Sequence, residues 1–359
     1  MNAELFELYK DLIRCRAVSA DIPAVNKSEK TLLAFLQKNG FYCSEELING
    51  RVVVYASTEP GKVADILLNA HLDVVPAAYE EQFEPRIEGT RMYARGAYDC
   101  IGNAMAMIQC MLEARGKYSI GAIFTADEEI GGETTAGMVE RGYGARKVAL
   151  VVDGGYGSIT YAQKGIIIMK LTATGTGGHA SVPWTLDNPI DRLMDGYIRF
   201  RNAWTNPTAE NTWGDSMAPC ILKAGEAHNA IPDTAEMTIN IRYTTDEAYE
   251  KIIRMAEELT GVDVSILETC PPVVMDPQAP ALQILGKAFE AVDPDLAPIK
   301  YSRLMGATDA RHLRSLGVPI GIIGATGGGV HGKAEYLELP SIDRLTDILL
   351  KYAELLAAE

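Results

Sequence analysis

Short apolar runs alternate with helical patterns along the first part of the chain, and three of the runs are followed at once by acidic residues or histidine. Residues 51–56, 66–70, 120–125 and 148–152 read as strands. The run 66–70 has the length and unbroken apolarity of a strand buried on both faces. Residues 3–16, 28–39, 102–115 and 133–141 read as helices, with Gly40 stopping the second. This rhythm predicts an α/β fold: three αβα layers around a mostly parallel sheet. In such sheets ligands bind beyond the carboxyl ends of the strands. His71 and Asp73 follow 66–70, Glu128 and Glu129 follow 120–125, and Asp153 follows 148–152. Three strand ends therefore point to one pocket.

The middle of the chain has another pattern. Residues 166–173 read as a strand, and Asn188-Pro189 opens a helix with Ile190, Leu193, Met194, Tyr197, Ile198 and Trp204 on one face. A strand at 219–225 follows, then alternating Met237, Ile239, Ile241 and Tyr243, a helix over 247–259, and alternating Val262, Val264 and Ile266. The order βαββαβ is that of a ferredoxin-like unit. It predicts a small domain, 166–275, inserted into a catalytic domain made of 1–165 and 276–359. A helix near 280–292 resumes the first pattern, and the apolar strand 319–323 runs into Gly327-Gly328-Gly329-Val330-His331, which puts His331 at another strand end. Ser341 is placed to cap a last helix.

A length of 359 residues suits about two domains. The net charge of −15 argues against nucleic acid or an anionic membrane as partner. No apolar run is long enough to cross a bilayer, and the first residues lack the basic and apolar regions of a signal peptide. The six cysteines are scattered, without a Cys-x-x-Cys pair, as reduced thiols would be. The expectation is a cytoplasmic protein.

His71, Asp99, Glu129, Asp153 and His331 are metal-capable residues, and the chain has only five histidines. In an extended segment Asp73 points the same way as His71, so its carboxylate can orient the imidazole. Asp127, Glu128 and Glu129 are adjacent carboxylates that repel one another unless a cation neutralises them. Neighbouring carboxylates with separate tasks fit a metal hydrolase, Glu129 as ligand and Glu128 as proton carrier. Each residue also has a plainer reading: an exposed His-Asp pair, a helix-capping Asp99, a solvated acidic loop, a glycine-rich turn. As a set, the mixture of imidazole and carboxylate suits Zn²⁺, with Co²⁺ or Mn²⁺ as substitutes.

The segments His71-Leu72-Asp73-Val74-Val75-Pro76, Arg95-Gly96-Ala97-Tyr98-Asp99 and Asp127-Glu128-Glu129-Ile130-Gly131-Gly132, together with Asp153, resemble the metal-site motifs of the co-catalytic di-zinc metallopeptidase family. That family includes aminoacylase, acetylornithine deacetylase, succinyl-diaminopimelate desuccinylase, glutamate carboxypeptidase and peptidase T. Gly306-Ala307-Thr308-Asp309-Ala310-Arg311 and Gly329-Val330-His331-Gly332-Lys333-Ala334-Glu335 resemble its C-terminal motifs. The resemblance implies that Asp99 bridges two zinc ions, with His71 and Asp153 on one and Glu129 and His331 on the other. Glu128 would deprotonate the bridging water that attacks an amide carbonyl, then protonate the leaving amine. It also implies a cis peptide between Asp99 and Cys100. Gly177-Gly178-His179-Ala180-Ser181-Val182-Pro183 resembles the lid segment whose histidine reaches the oxyanion, often in a partner subunit. Asn229 and Arg242 resemble lid residues that hold a substrate carboxylate. The inserted domain would then be a lid and the seat of a homodimer.

Two departures from the family pattern bear on substrate. Cys100-Ile101 replaces the usual Met-Lys after the bridging Asp, although Gly102 is kept. Asp153 stands where many deacylases and carboxypeptidases of the family have Glu, and Asp is more typical of its aminopeptidases and dipeptidases. The expectation is an exopeptidase acting on a dipeptide or short peptide. The alternatives are an N-acyl-amino-acid deacylase with the same mechanism, a two-metal phosphoesterase, or a non-catalytic metal-binding protein.

Overall fold

The apolar runs form the centre of a mixed α/β sheet. In the computed structural model, which describes residues 1–359, the strand order is Tyr42–Ile48, Arg51–Ser57, Ile120–Thr125, Val63–His71, Gly144–Val151, Ile320–Ile322, Ser158–Gln163. The four strands from Ile120–Thr125 to Ile320–Ile322 are parallel to one another, and the flanking pairs are antiparallel. Arg51–Ser57 and Ile120–Thr125 are buried at every position, as the apolar runs require of strands covered on both faces. Helices Asn103–Ala114, Pro280–Val292 and Pro340–Ala357 join the core through Met105, Ile108, Leu285, Phe289, Leu345 and Leu349.

The chain makes two compact units. Met1–Tyr161, Met275–Ser302 and Thr308–Glu359 form the first, and Ala162–Val274 with Arg303–Ala307 the second. The second has its own antiparallel sheet, in the order Ser216–Ala224, Thr234–Tyr243, Gly165–Thr174, Asp263–Cys270. Along Thr234–Tyr243 every second side chain is buried. Those side chains meet Leu193 and Phe200 of helix Pro189–Asn202 and Ile252 and Ala256 of helix Asp246–Thr260. The Asn188 and Thr245 side chains cap these two helices. No helix in the protein is long and apolar enough to cross a membrane.

Several boundaries differ from the sequence reading. The second helix is Ile22–Lys38, beginning well before residue 28, because Asp21 accepts the Ala24 N–H and Pro23 sits in the first turn. Ser341 lies inside the helix it was expected to cap. Its hydroxyl donates to the Glu338 carbonyl at 2.6 Å and accepts the Thr326 N–H at 2.9 Å. After Ile320–Ile322 the chain leaves the large sheet, and Gly327–Gly328 pairs with Tyr336–Glu338 in a small antiparallel sheet. His331 is therefore in a loop of that small sheet rather than directly at a parallel strand end.

Candidate metal centre

Parallel register brings the strand ends level. His71 pairs with Thr125, and Asn69 and Ile322 both pair with Val151. Glu128–Glu129 and Asp153 are thus delivered beside His71 at the carboxyl edge of the sheet. Asp99 comes from an irregular turn, 97–102, where it has φ −108° and ψ 94°. The Asp99–Cys100 peptide is cis, as the motif resemblance implies. Gly102 closes this turn because nothing larger fits: a Cβ there would lie 2.3 Å from the Ala97 carbonyl oxygen and 2.6 Å from the Tyr9 hydroxyl.

The five metal-capable residues form two adjoining clusters that share Asp99. His71 Nε2 is 3.0 Å from Asp99 Oδ1 and 3.8 Å from Asp153 Oδ1. His331 Nε2 is 3.2 Å from Asp99 Oδ2 and 3.1 Å from Glu129 Oε2. The two oxygens of one carboxylate therefore face two different histidines.

Asp73 is completely buried. The imidazole Nδ1 of His71 meets the main-chain carbonyl of Asp73 at 2.9 Å, while the carboxylate is 3.5 Å away. Sequence reasoning assigned that contact to the carboxylate. The carboxylate is instead taken up by the Ser19 hydroxyl at 2.6 Å and the N–H groups of Glu128 and Glu129 at 3.1 and 3.3 Å. Asp73 thus orients the histidine through its backbone and fixes the Glu128–Glu129 backbone through its side chain. Ser19 gave no signal in the sequence, since it lies in a loop far from every motif.

Burial pushes the Glu128 carboxyl well above its usual range, and Asp153 adds to this while His71 opposes it. Burial likewise lifts Glu129 to about 7 and Asp153 to about 6. Asp99 is held low: burial would raise it, but hydrogen bonds from His331 and His71 outweigh that. Contact with Asp99 pushes His331 up to about 9. His71 is pushed up despite its burial, by the carboxylates of Asp153, Asp73 and Asp99. The cluster as a whole draws positive charge, which protons or divalent cations can supply. Its donors fit a cation well, since ligand atoms of His71, Asp99 and Glu129 lie within 4.8 Å of one another. Cys100 joins a similar group with His71 and Asp153. Its Sγ, however, is engaged by the backbone, accepting from the His71 N–H at 3.2 Å and donating to the His71 carbonyl at 3.3 Å.

In the second unit, Gly178–His179 pairs with Ala230–Ile231, and the Ala180 N–H donates to the Asn229 carbonyl at 3.0 Å. His179 and Asn229 are thereby neighbours, both exposed. The His179 ring is held by Ser181, whose hydroxyl is 2.7 Å from Nδ1. Arg242 lies on the strand Thr234–Tyr243 and donates from Nε to Asn240 Oδ1 at 3.1 Å.

The model of peptidase family M20/M25/M40 matches residues 67–355. A Mycobacterium tuberculosis protein assigned as a succinyl-diaminopimelate desuccinylase is 26% identical over 364 residues, covering 97% of this chain and 99% of its own. Among solved structures, aminopeptidase PepT from Bacillus cereus superposes with a TM-score of 0.81 at 16% identity, covering 99% of both chains. A dinuclear metal-binding peptidase from Bacillus subtilis superposes with a TM-score of 0.70 at 15% identity, covering 99% of this chain and 97% of its own.

Proposed function

Since this chain belongs to peptidase family M20/M25/M40 and is a hydrolytic enzyme, we propose that it cleaves an amide bond of a short peptide at a centre of two divalent cations. The observation that carries this reading is the placement of Asp99, with one carboxylate oxygen facing His71 and the other facing His331. His71 and Asp153 would hold one cation, His331 and Glu129 the other, with Asp99 shared. Imidazole and carboxylate together favour zinc, and Co²⁺ or Mn²⁺ suit the same donors. When bound, such cations supply Lewis acidity at the carbonyl and make water acidic enough to attack near neutral pH.

The chain's own residues handle the proton. Glu128 has its backbone N–H anchored on Asp73 and its carboxyl pushed upward in pKa by burial. A raised carboxyl accepts a proton from the attacking water and returns it to the leaving nitrogen at a pH where an ordinary glutamate would stay ionised. His179 is proposed to donate to the developing oxyanion, and Asn229 and Arg242 to hold the substrate's terminal carboxylate. The second unit would then act as a lid.

That unit also carries the features that support a homodimer. Ser216–Ala224 is an edge strand with Ile221 and Leu222 exposed, and helix Pro189–Asn202 exposes Met194 and Ile198. An unpaired edge with exposed apolar side chains invites a second copy.

Asp153 favours the peptide reading. The desuccinylase relative favours the second reading, an N-acyl-amino-acid deacylase. A panel of di- and tripeptides, N-acetyl and N-succinyl amino acids, and phosphoesters separates them, measured with Zn²⁺, Co²⁺ or Mn²⁺. Peptide turnover that chelation abolishes and added cation restores is the expected result. Chelator-resistant turnover, or turnover of phosphoesters alone, would overturn the proposal.

A further inference from the structure

Beside the proposed metal ligands lies a buried ion pair that none of the assigned roles uses. Arg95 and Glu335 are 2% and 0% exposed at their side chains, with Nη1 and Oε2 2.6 Å apart. The Glu335 carboxylate also accepts three backbone N–H groups of one turn: Gly96 on Oε2 at 3.1 Å, and Tyr98 and Asp99 on Oε1 at 3.0 and 3.1 Å. One carboxylate thereby fixes the backbone of the very turn that presents Asp99.

The arginine reaches the other way. Its Nη2 donates to the His331 carbonyl at 3.0 Å and lies 3.3 Å from that of Gly332 and 3.5 Å from that of Pro76. His331 has φ +59°, a left-handed backbone that a side chain larger than glycine's rarely adopts. Such a backbone persists where surrounding contacts over-determine it, and the Arg95 donor on this carbonyl is one of those contacts. Gln82 adds a second hold, its amide donating to the Gly332 carbonyl at 3.0 Å.

We propose that Arg95 and Glu335 are positioning residues for the metal centre, Glu335 setting Asp99 and Arg95 setting His331. This rests on the two-cation reading. The pair joins the Asp99 turn and the end of the His71 motif to the His331 loop, more than two hundred residues further along the chain. Its planar fork suits this task, because one nitrogen grips the carboxylate while the other grips a carbonyl. Lysine in its place keeps a contact to Glu335 but has no second nitrogen for His331.

The two halves of the pair therefore have separable effects. Arg95→Lys is expected to leave the first cation, on His71, Asp153 and Asp99, bound as in the wild type. It should weaken the second, on His331 and Glu129, by about 10- to 100-fold, the usual range for residues that orient metal ligands. Glu335→Gln turns an amide NH₂ against the Gly96 N–H and the Arg95 guanidinium, and is expected to weaken both cations by at least about tenfold.

The test is a titration of cation-free protein with Co²⁺, following its visible absorption, with thermal melting of each variant in parallel. Two binding steps in the wild type, with the second step alone displaced in Arg95→Lys, support the proposal. Two unchanged steps in Arg95→Lys overturn it, as does a Glu335→Gln protein that melts earlier but binds both ions normally, since the pair would then serve only the fold. If Glu335→Gln does not fold, Arg95→Lys decides alone. A wild-type protein that binds no Co²⁺ instead fails the two-cation reading itself, and this inference with it.

Discussion

The proposed functional residues of the two units are built in opposite ways. In the first unit His71 and Asp73 are buried, Glu128 and Glu129 are anchored by their backbone N–H groups, Asp99 sits on a turn clamped by Glu335, and His331, the one exposed member, has its carbonyl held by Arg95. In the second, His179 and Asn229 are exposed, His179 in a two-residue ladder and Asn229 at its end. Burying several charges together is costly, and such a cluster persists only with dense hydrogen bonding and compensating charge. Exposed groups carry no such cost. The first set is thus preorganised by the fold, whereas the second relies on its ligand.

Three measurements sharpen or break that contrast. The largest effect is expected from Glu128→Gln, which keeps shape but removes the proton carrier. Turnover should fall by about 10²- to 10⁴-fold or more, with cation stoichiometry and melting temperature near those of the wild type. Retained turnover would remove Glu128 from its role. Next comes His179→Ala. Losing an oxyanion donor costs about 10²- to 10³-fold in kcat, yet an exposed side chain contributes within about 0.5 kcal/mol to stability. Activity should drop while the melting temperature stays put; a fall in both would show that the second unit's residues are structural after all.

The smallest effect is a pH dependence confined to the first unit's set. The folded, cation-free protein binds protons at Asp153 and Glu129 more tightly than the unfolded chain does, their pKa values being lifted to about 6 and about 7. The stability this brings is complete below the ordinary carboxylate range and is lost as pH rises through those values. His331, pushed up to about 9, extends the loss from the ordinary histidine range upward. Melting temperature without cation should therefore decline from about pH 5 to about pH 9, and the rise produced by Zn²⁺ should grow over the same interval. A flat profile, or stabilisation by Zn²⁺ that shrinks as pH rises, would contradict the electrostatic reading.

Much of the first unit was legible because its strands are apolar on both faces and His71, Glu129 and Asp153 come at their ends or within four residues after them. The mostly parallel sheet follows from that pattern. The edge strand Tyr42–Ile48 was not legible, since Ser44, Glu45 and Glu46 interrupt any apolar run. His331 was assigned to a strand end because apolar residues 319–323 precede it, but glycines carry the chain into a separate small sheet. Ser19 and the Arg95–Glu335 pair were invisible as a group, because each finds its side-chain partner across a long stretch of sequence, and their remaining contacts are to backbone atoms, which no side-chain pattern encodes. Arg95 and Glu335 do fall inside the motifs that flank Asp99 and His331, and that proximity was the one available clue.

The shared position of Asp99 is best tested by an anomalous difference map, at the zinc absorption edge, from crystals grown with Zn²⁺. Two peaks are expected, one between His71 and Asp153 and one between His331 and Glu129, each in contact with a different oxygen of Asp99. A single peak, or two peaks with Asp99 touching only one, would contradict the two-cation centre.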